Sequence, residues 1–175
     1  MEVFWSKGYA AASTAELCDA TGLGRSSLYN AFGSKHELYE AALSRYADRG
    51  VALQVAILEA PGTAKTKLRN LMEWVIDTDL SDPTRRGCMT INAATETTGR
   101  DDAVVKLVSG QFQRLEAAIH DTIIAGQRAG EITTNRPASE LARSFLSTYY
   151  GLRVLGAVAE RETLEDVVRG TVDSL

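Results

Sequence analysis

Apolar residues recur every three to four positions along most of the chain, which is the spacing of one face of an α-helix. The longest such run follows Ser34 and continues to about Glu59, and its apolar members are Leu38, Ala41, Ala42, Tyr46, Leu53, Ile57 and Leu58. Proline and glycine at positions 61 and 62 end it. No segment shows the alternation of a strand bounded by turn residues. The pattern predicts an all-α protein with about nine helices.

Two pairs of residues mark helix starts in the N-terminal third. Ser13 and Glu16 stand three apart, and Ser34 and Glu37 repeat that spacing. In such a capping box the serine oxygen accepts a free backbone amide, and the glutamate bonds back to the amide of the serine. Gly22 follows the first of these helices, where a sharp turn favours a residue that tolerates positive φ.

Between these signals the sequence predicts two short helices, over about residues 14–21 and 25–31. We expect Leu28 and Phe32 to point inward, which leaves one polar face of the second helix in solvent. Two short helices joined by a tight glycine turn are typical of a helix-turn-helix, whose second helix enters the major groove of DNA.

The remaining helices follow from the same spacing and from turn residues. They are expected over about residues 1–7, 64–80, 86–98, 102–128, 137–160 and 164–175. Gly8 is expected to end the first and Gly99 the sixth, while Thr163 is expected to cap the last.

Four segments of the first third, FWSKGY, STAEL, ATGLGRSSLYNAF and GSKHELYEAAL, resemble the DNA-binding domain of the TetR family of bacterial transcriptional repressors. The C-terminal half resembles a branch of that family through SFLSTYYGLRVLG and through RGC followed by Met89, Ile91 and Asn92. The resemblance implies a helix-turn-helix domain over residues 1–46. It also implies a helical effector-binding and dimerisation domain over residues 47–175, with a homodimer formed by the last two helices.

Eight residues are candidates for DNA contact: Ser13, Thr14, Arg25, Ser26, Ser27, Tyr29, Asn30 and Lys35. Arginine pairs bidentately with guanine and asparagine with adenine, while short serines allow close approach. Tyr29 and Lys35 match family positions that touch phosphates, and a helix N-terminus at Ser13 or Thr14 favours the same contact. Periodicity alone leaves another interpretation, a solvated helix face with a core tyrosine.

Charge does not by itself indicate a nucleic-acid partner. The chain has a formal net charge of −4, and its first 46 residues carry five acidic and four basic side chains. The chain begins in what resembles the middle of the family's first helix. We therefore expect a basic arm and an earlier helical turn to precede Met1 in the complete protein.

The resemblance also implies an unknown small-molecule effector. Candidate ligand-binding residues are Trp74, Met89, Asn92, Phe112 and Tyr149, with Asn92 or His120 as a polar anchor in an apolar cavity. The alternative for the large side chains is ordinary core packing.

Cys88 is a candidate sensor, since some repressors resembling this branch respond to oxidants or electrophiles through a cysteine. A reactive thiol needs nearby positive charge, and Arg85 and Arg86 are close in sequence. The alternative is a small buried side chain, which is also the expectation for Cys18. Two distant cysteines indicate neither a disulfide framework nor a metal site.

The chain shows no apolar run long enough for a membrane span and no signal peptide, so we expect a cytoplasmic protein. Asp101 and Asp102 are adjacent and cannot form a facing acid–base pair, and no phosphate-binding glycine loop is present. We therefore expect no enzyme activity, no cofactor and no metal. The resemblance to the TetR family implies a ligand-released homodimeric repressor that binds a pseudo-palindromic operator. The alternatives are a helical small-molecule-binding dimer that has lost DNA binding, and a thiol-based sensor acting through Cys88.

Overall fold

The computed structural model describes residues 1–97 and 101–175, and within those ranges the chain forms nine α-helices. They are α1 (Glu2–Ala11), α2 (Thr14–Thr21), α3 (Arg25–Phe32), α4 (Lys35–Glu59), α5 (Ala64–Ser81), α6 (Met89–Thr97), α7 (Asp102–Arg128), α8 (Ala138–Leu155) and α9 (Arg161–Asp173). The predicted all-α fold is confirmed. The expected end of the sixth helix at Thr98 and Gly99 lies outside the described residues.

The start of α6 differs from the prediction. The helix begins at Met89 rather than at Arg86. Arg85 and Gly87 have φ values of 46° and 66°, which are left-handed conformations that a continuous helix cannot contain. Residues 85–88 are therefore an irregular connection before Met89. The sequence showed no sign of this, because a positive φ is unusual for an arginine.

The connection between the last two helices is also placed differently. α8 ends at Leu155 rather than near residue 160, and α9 begins at Arg161 with Glu160 in the capping position. Thr163, expected to cap this helix, lies inside it. Glu162 in the first turn interacts favourably with the positive end of the helix dipole, which is consistent with the earlier start.

By their contacts the described residues form two compact units. Unit 1 comprises residues 1–49 and 88–111, and unit 2 comprises residues 50–87 and 112–175. The sequence assigned everything after residue 46 to the second domain, whereas in the structure α6 and the first part of α7 belong with the helix-turn-helix helices.

The core of unit 1 is formed by side chains from its first four helices together with those of α6 and the first part of α7. Phe4 and Tyr39 are buried, and their rings meet edge to face with centroids 5.1 Å apart. Leu28 is fully buried, as expected, but Phe32 is 38% exposed. The expectation for Phe32 was wrong because it is the last residue of α3, immediately before Gly33 turns the chain with a φ of 78°.

Unit 2 has a larger apolar core formed mainly by α5, α7, α8 and α9. Its fully buried members include Leu68, Leu71, Met72, Leu115, Ile119, Ile123, Ala142, Tyr149 and Leu164. Burying one leucine or isoleucine side chain stabilises the folded state by about 1.5–3 kcal/mol, so the packing of these apolar side chains is the main source of the unit's stability.

An ion pair is buried within this unit. Arg153 of α8 donates to Asp79 of α5 at 2.8 Å, and the two side chains are only 4% and 5% exposed. Burial raises the pKa of the Asp79 carboxyl above its usual value, although the Arg153 charge acts in the opposite direction. Desolvation therefore outweighs attraction at Asp79, and each charge depends on the other for compensation.

We expect Asp79→Asn to reduce the free energy of unfolding by about 3–5 kcal/mol, because it leaves the buried Arg153 without a counter-charge. Asp77→Asn is the matched control, since Asp77 lies on the same helix and pairs with Arg161 in solvent. That variant should lose less than about 1 kcal/mol. Urea unfolding at one fixed protein concentration measures both, and equal losses would contradict the assignment.

Candidate nucleic-acid interface

The predicted capping box at the start of α2 is confirmed. Ser13 Oγ accepts the Glu16 amide at 3.2 Å, and Glu16 Oε2 accepts the Ser13 amide at 2.9 Å. Lys7 forms an ion pair with Glu16, and this bond together with those from Ser13 lowers the pKa of the Glu16 carboxyl to about 2. The N-terminus of α2 is thereby fixed by local hydrogen bonds.

The turn that follows presents α3. Gly22 ends α2 with a φ of 69°, and Gly24 precedes the first residue of α3. Leu28 is the buried residue of this eight-residue helix. The exposed side chains around it include four of the predicted DNA contacts, Arg25, Ser26, Ser27 and Asn30, which together form the recognition face.

Tyr29 connects α3 with the start of α2. Its hydroxyl lies 2.7 Å from Thr14 Oγ1, and the Arg25 guanidinium lies 5.9 Å from its ring centroid. Tyr29 and Thr14 are both half-buried. Two hydroxyls beside a helix N-terminus can donate to a phosphate, and the phosphate contacts of these two residues stay a prediction.

Lys35, the remaining candidate, contacts α1. Its ammonium group lies 4.7 Å from the Tyr9 ring centroid and donates to the Ala10 carbonyl at 3.4 Å. A phosphate contact by Lys35 would therefore compete with these two contacts.

His36 is half-buried and bridges two acids. Its Nδ1 lies 2.6 Å from Glu40 Oε1 and its Nε2 lies 2.5 Å from Asp101 Oδ2. The hydrogen bond to Asp101 raises the pKa of His36 and lowers the pKa of Asp101. Sequence reasoning missed this cluster because Asp101 is 65 residues away from His36 in the chain.

The ligand-binding candidates are distributed over both units. Tyr149 is fully buried in unit 2, Trp74 packs against the same core, and the Phe112 ring lies 4.4 Å from the Tyr150 ring. In unit 1, Met89 is buried and Asn92 is exposed. Their roles remain predictions of the sequence.

A buried polar residue that the sequence analysis missed lies beside Tyr149. Gln54 Nε2 donates to Tyr149 Oη at 2.8 Å, and Gln54 is only 3% exposed. The signal was available, since Val51, Gln54 and Leu58 share the apolar spacing of α4 and all three are buried.

Cys88 is buried in unit 1, with 4% of its surface exposed. The two cations near it in sequence bind elsewhere, because Arg85 donates to the Ala159 carbonyl and Arg86 to the Asp82 carboxylate. These facts favour the packing alternative, and the sensor role remains a prediction. Cys18 is half-buried in α2.

Residues 1–97 and 101–175 contain neither a membrane-spanning helix nor a cluster of metal ligands. None of the helices in these ranges has the length and apolarity to cross a membrane. The same residues contain no group of three or more His, Cys, Asp or Glu side chains in position to hold a metal ion.

Known families and relatives match nearly the whole chain. Residues 1–42 match the family "Bacterial regulatory proteins, tetR family", and residues 64–171 match "Tetracyclin repressor-like, C-terminal domain". The HTH-type transcriptional regulator YezE of Bacillus subtilis (strain 168) is 30% identical over 171 residues, which cover 96% of this chain and 88% of YezE. The HTH-type transcriptional repressor ComR of Escherichia coli (strain K12) is 26% identical over 170 residues, covering 97% and 80%.

Solved structures share the fold. A cysteine mutant of the TetR family transcriptional regulator CifR, complexed with 26-bp double-strand operator DNA, superposes with a TM-score of 0.86 at 28% identity. The match covers 98% of this chain and 91% of that chain. A TetR transcriptional regulator from Chloroflexus aurantiacus J-10-FL superposes at 0.82 with 24% identity, covering 98% and 87%, and this likeness concerns the fold.

We expect Ser13→Ala to lower the free energy of unfolding by about 1 kcal/mol, because it removes the Oγ that accepts the Glu16 amide at the start of α2. Ser27→Ala is the matched control, since Ser27 is exposed on α3 and should change stability by less than about 0.5 kcal/mol. Chemical denaturation followed by circular dichroism compares the two. A loss at Ser13 no larger than at Ser27 would show that the box does not stabilise α2.

Proposed function

Because the chain belongs to the TetR family of bacterial transcriptional regulators, we propose that it binds an operator as a homodimer and represses transcription until a small molecule releases it. The observation that carries the proposal is the recognition face. α3 buries Leu28 and directs Arg25, Ser26, Ser27 and Asn30 to solvent. A short helix with one anchored residue and a continuous polar surface fits a major groove, which is about 12 Å wide.

Roles within the interface follow from side-chain chemistry. Arg25 matches the O6 and N7 acceptors of guanine, and Asn30 matches the acceptor and donor of adenine. Ser13, Thr14 and Tyr29 lie at the N-terminus of α2, where hydroxyls and backbone amides bind phosphate. Lys35 would add a phosphate contact after leaving the Tyr9 ring.

The dimer is proposed to form through α8 and α9. A groove of about 370 Å³ lies between them and is lined by residues that include Ser144, Phe145, Thr148, Val167, Gly170 and Thr171. Small side chains on two adjacent helices allow helices of a second copy to approach closely. Two-fold symmetry then presents two α3 helices to successive major grooves, about 34–36 Å apart when half-sites lie one turn apart.

The effector is proposed to bind in the core of unit 2 among Trp74, Phe112 and Tyr149, beside the buried amide of Gln54. Release requires that the effector bind the DNA-incompetent state more tightly than the DNA-bound state, since equal affinity shifts no equilibrium. The protein would act in the cytoplasm, on DNA near its own gene.

The test is fluorescence anisotropy with the duplex upstream of the protein's own gene, across a salt series, against a scrambled duplex. Specific binding predicts tighter association with the native duplex, and a logarithmic affinity that falls linearly with the logarithm of salt concentration. The proposal fails if neither the upstream duplex nor a set of operators selected from random DNA is preferred over the scrambled control. That result would favour a helical small-molecule-binding dimer that has lost DNA binding.

We expect Arg25→Ala to weaken operator binding by about 1–3 kcal/mol and to relax specificity at one base position of each half-site, because a bidentate base contact is lost. Arg45→Ala is the matched control, since Arg45 is exposed on α4 and lies outside the recognition face. Anisotropy titrations of both variants against native and scrambled duplexes give the comparison. An unchanged preference of Arg25→Ala for operator would remove Arg25 from base recognition.

A further inference from the structure

A carboxylate of α6 fills a break in α1. Gly8 interrupts the helix with a φ of 75° and a ψ of 179°, which exposes the amides of the next two residues. The Tyr9 amide donates to Glu96 Oε2 at 2.9 Å, and the Ala10 amide donates to Glu96 Oε1 at 2.8 Å. A Cβ at position 8 would lie 2.6 Å from Glu96 Oε2, so glycine both bends the helix and admits the carboxylate.

A second carboxylate, at the start of α7, holds the start of α4. Asp101 Oδ1 accepts the Val104 amide at 3.1 Å and so caps α7, while its Oδ2 contacts His36 Nε2. Glu96 and Asp101 therefore flank the connection between α6 and α7. Each binds one of the helices that border the helix-turn-helix.

The two contacts meet in one aromatic cluster. The Tyr9 ring lies 5.0 Å from the Tyr39 ring and 5.8 Å from the His36 ring, between centroids. Tyr39 is 2% exposed, and burial, assisted by the charges of Glu96 and Asp101, raises its pKa to about 12. A displacement at either carboxylate is therefore transmitted to the same packed group.

This cluster is adjacent to the proposed phosphate contacts. Ala10 is followed three residues later by Ser13, the cap of α2. Lys35 is next to His36 and donates to the Ala10 carbonyl. The proposed DNA contacts run from Ser13 to Lys35. The position of Ser13 depends on the backbone that follows Ala10, and the position of Lys35 depends on the start of α4.

We propose that Glu96 and Asp101 are positioning residues for DNA recognition, which hold α1 and α4 in the arrangement that presents α3 to the groove. The inference rests on the proposed DNA-binding function. If α6 or the start of α7 moves, α1 and α4 either move with it or lose these hydrogen bonds. A regulatory state that displaces either element would therefore act on operator affinity through these two side chains.

Removing a positioning residue changes local order and operator affinity, whereas removing a residue that only stabilises the fold changes the melting temperature. Glu96 is exposed, so water can replace its carboxylate at the Tyr9 and Ala10 amides, and this limits the loss of global stability. Loss of Glu96 should therefore alter the local order of Tyr9 and Ala10 and the operator affinity more than the melting temperature.

The first test compares Glu96→Ala with Glu73→Ala, a matched removal of an exposed glutamate on α5. In the DNA-free protein we expect amide hydrogen exchange at Tyr9 and Ala10 to accelerate about tenfold in the first variant only. We expect its operator affinity to fall about tenfold, with similar melting temperatures for both variants. Glu96→Gln, which keeps one acceptor, should recover part of both effects.

Unchanged exchange at Tyr9 and Ala10 would overturn the inference whether or not the protein binds DNA. Faster exchange with unchanged operator affinity would also overturn it, because the contact would then be structural alone. Failure of the wild-type protein to bind any operator would instead refute the proposed function, so the two failures are distinguishable.

The second test uses pH, because protonated His36 faces Asp101, Glu40 and Glu37, with the Tyr9 ring and Lys35 beside it. The raised pKa means that the His36 contribution is complete below its unfolded value of 6.5 and is lost as pH rises through the folded value. The lowered pKa of Asp101 means that its contribution is lost only as pH falls below 3.8.

Operator affinity should therefore decline as pH rises above about 6.5 and through the raised pKa of His36, and His36→Gln and Asp101→Asn should both flatten the profile. His120→Gln removes the chain's other histidine and should leave the decline intact. A profile that is the same in wild type and His36→Gln would overturn the role of the Asp101 contact.

Discussion

α3 is held by a single fully buried side chain, and the rest of the DNA-binding unit depends on this constraint. Leu28 anchors the helix, but one contact point cannot fix its rotation or tilt. The hydrogen bond between the Tyr29 and Thr14 hydroxyls restricts rotation of α3 about its axis. At the end of the helix, the Gly33 N–H donates to the Tyr29 carbonyl. The remaining order comes from neighbouring helices, which explains why polar contacts cluster around so short an element.

The placement of charge explains how an acidic unit can contact DNA. Several acidic side chains of unit 1 are used in internal contacts. Glu16 binds Lys7 and caps α2, while Glu40 and Asp101 bind His36. The recognition face itself contains Arg25 and no acid. Because paired charges cancel at short range and unpaired ones determine the local field, net charge is a poor guide to the potential at α3.

The sequence predicted contacts between residues close together in the chain and missed contacts between residues far apart in it. The capping box at Ser13 and the turn at Gly22 were predictable, because both are set by residues within one helical turn. The family resemblance added the DNA candidates, whose contacts with bases and phosphates stay predictions. The Glu96 contact with Tyr9 joins residues 87 positions apart, and no spacing rule predicts such a pair. The same limit applies to His36, whereas Gln54 could have been found from the apolar spacing of α4.

The interior of unit 2 contains both non-directional apolar packing and a few directional hydrogen bonds. Its apolar core would tolerate small rotations of α8, since hydrophobic burial is not directional. The bonds from Gln54 to Tyr149 and from Arg153 to Asp79 are directional, and Tyr149 and Arg153 lie one turn apart on α8. These pairs therefore fix α8 against α4 and α5. A ligand that enters beside them must exchange hydrogen bonds as well as fill space, and this gives it a means of favouring one arrangement of these helices over another.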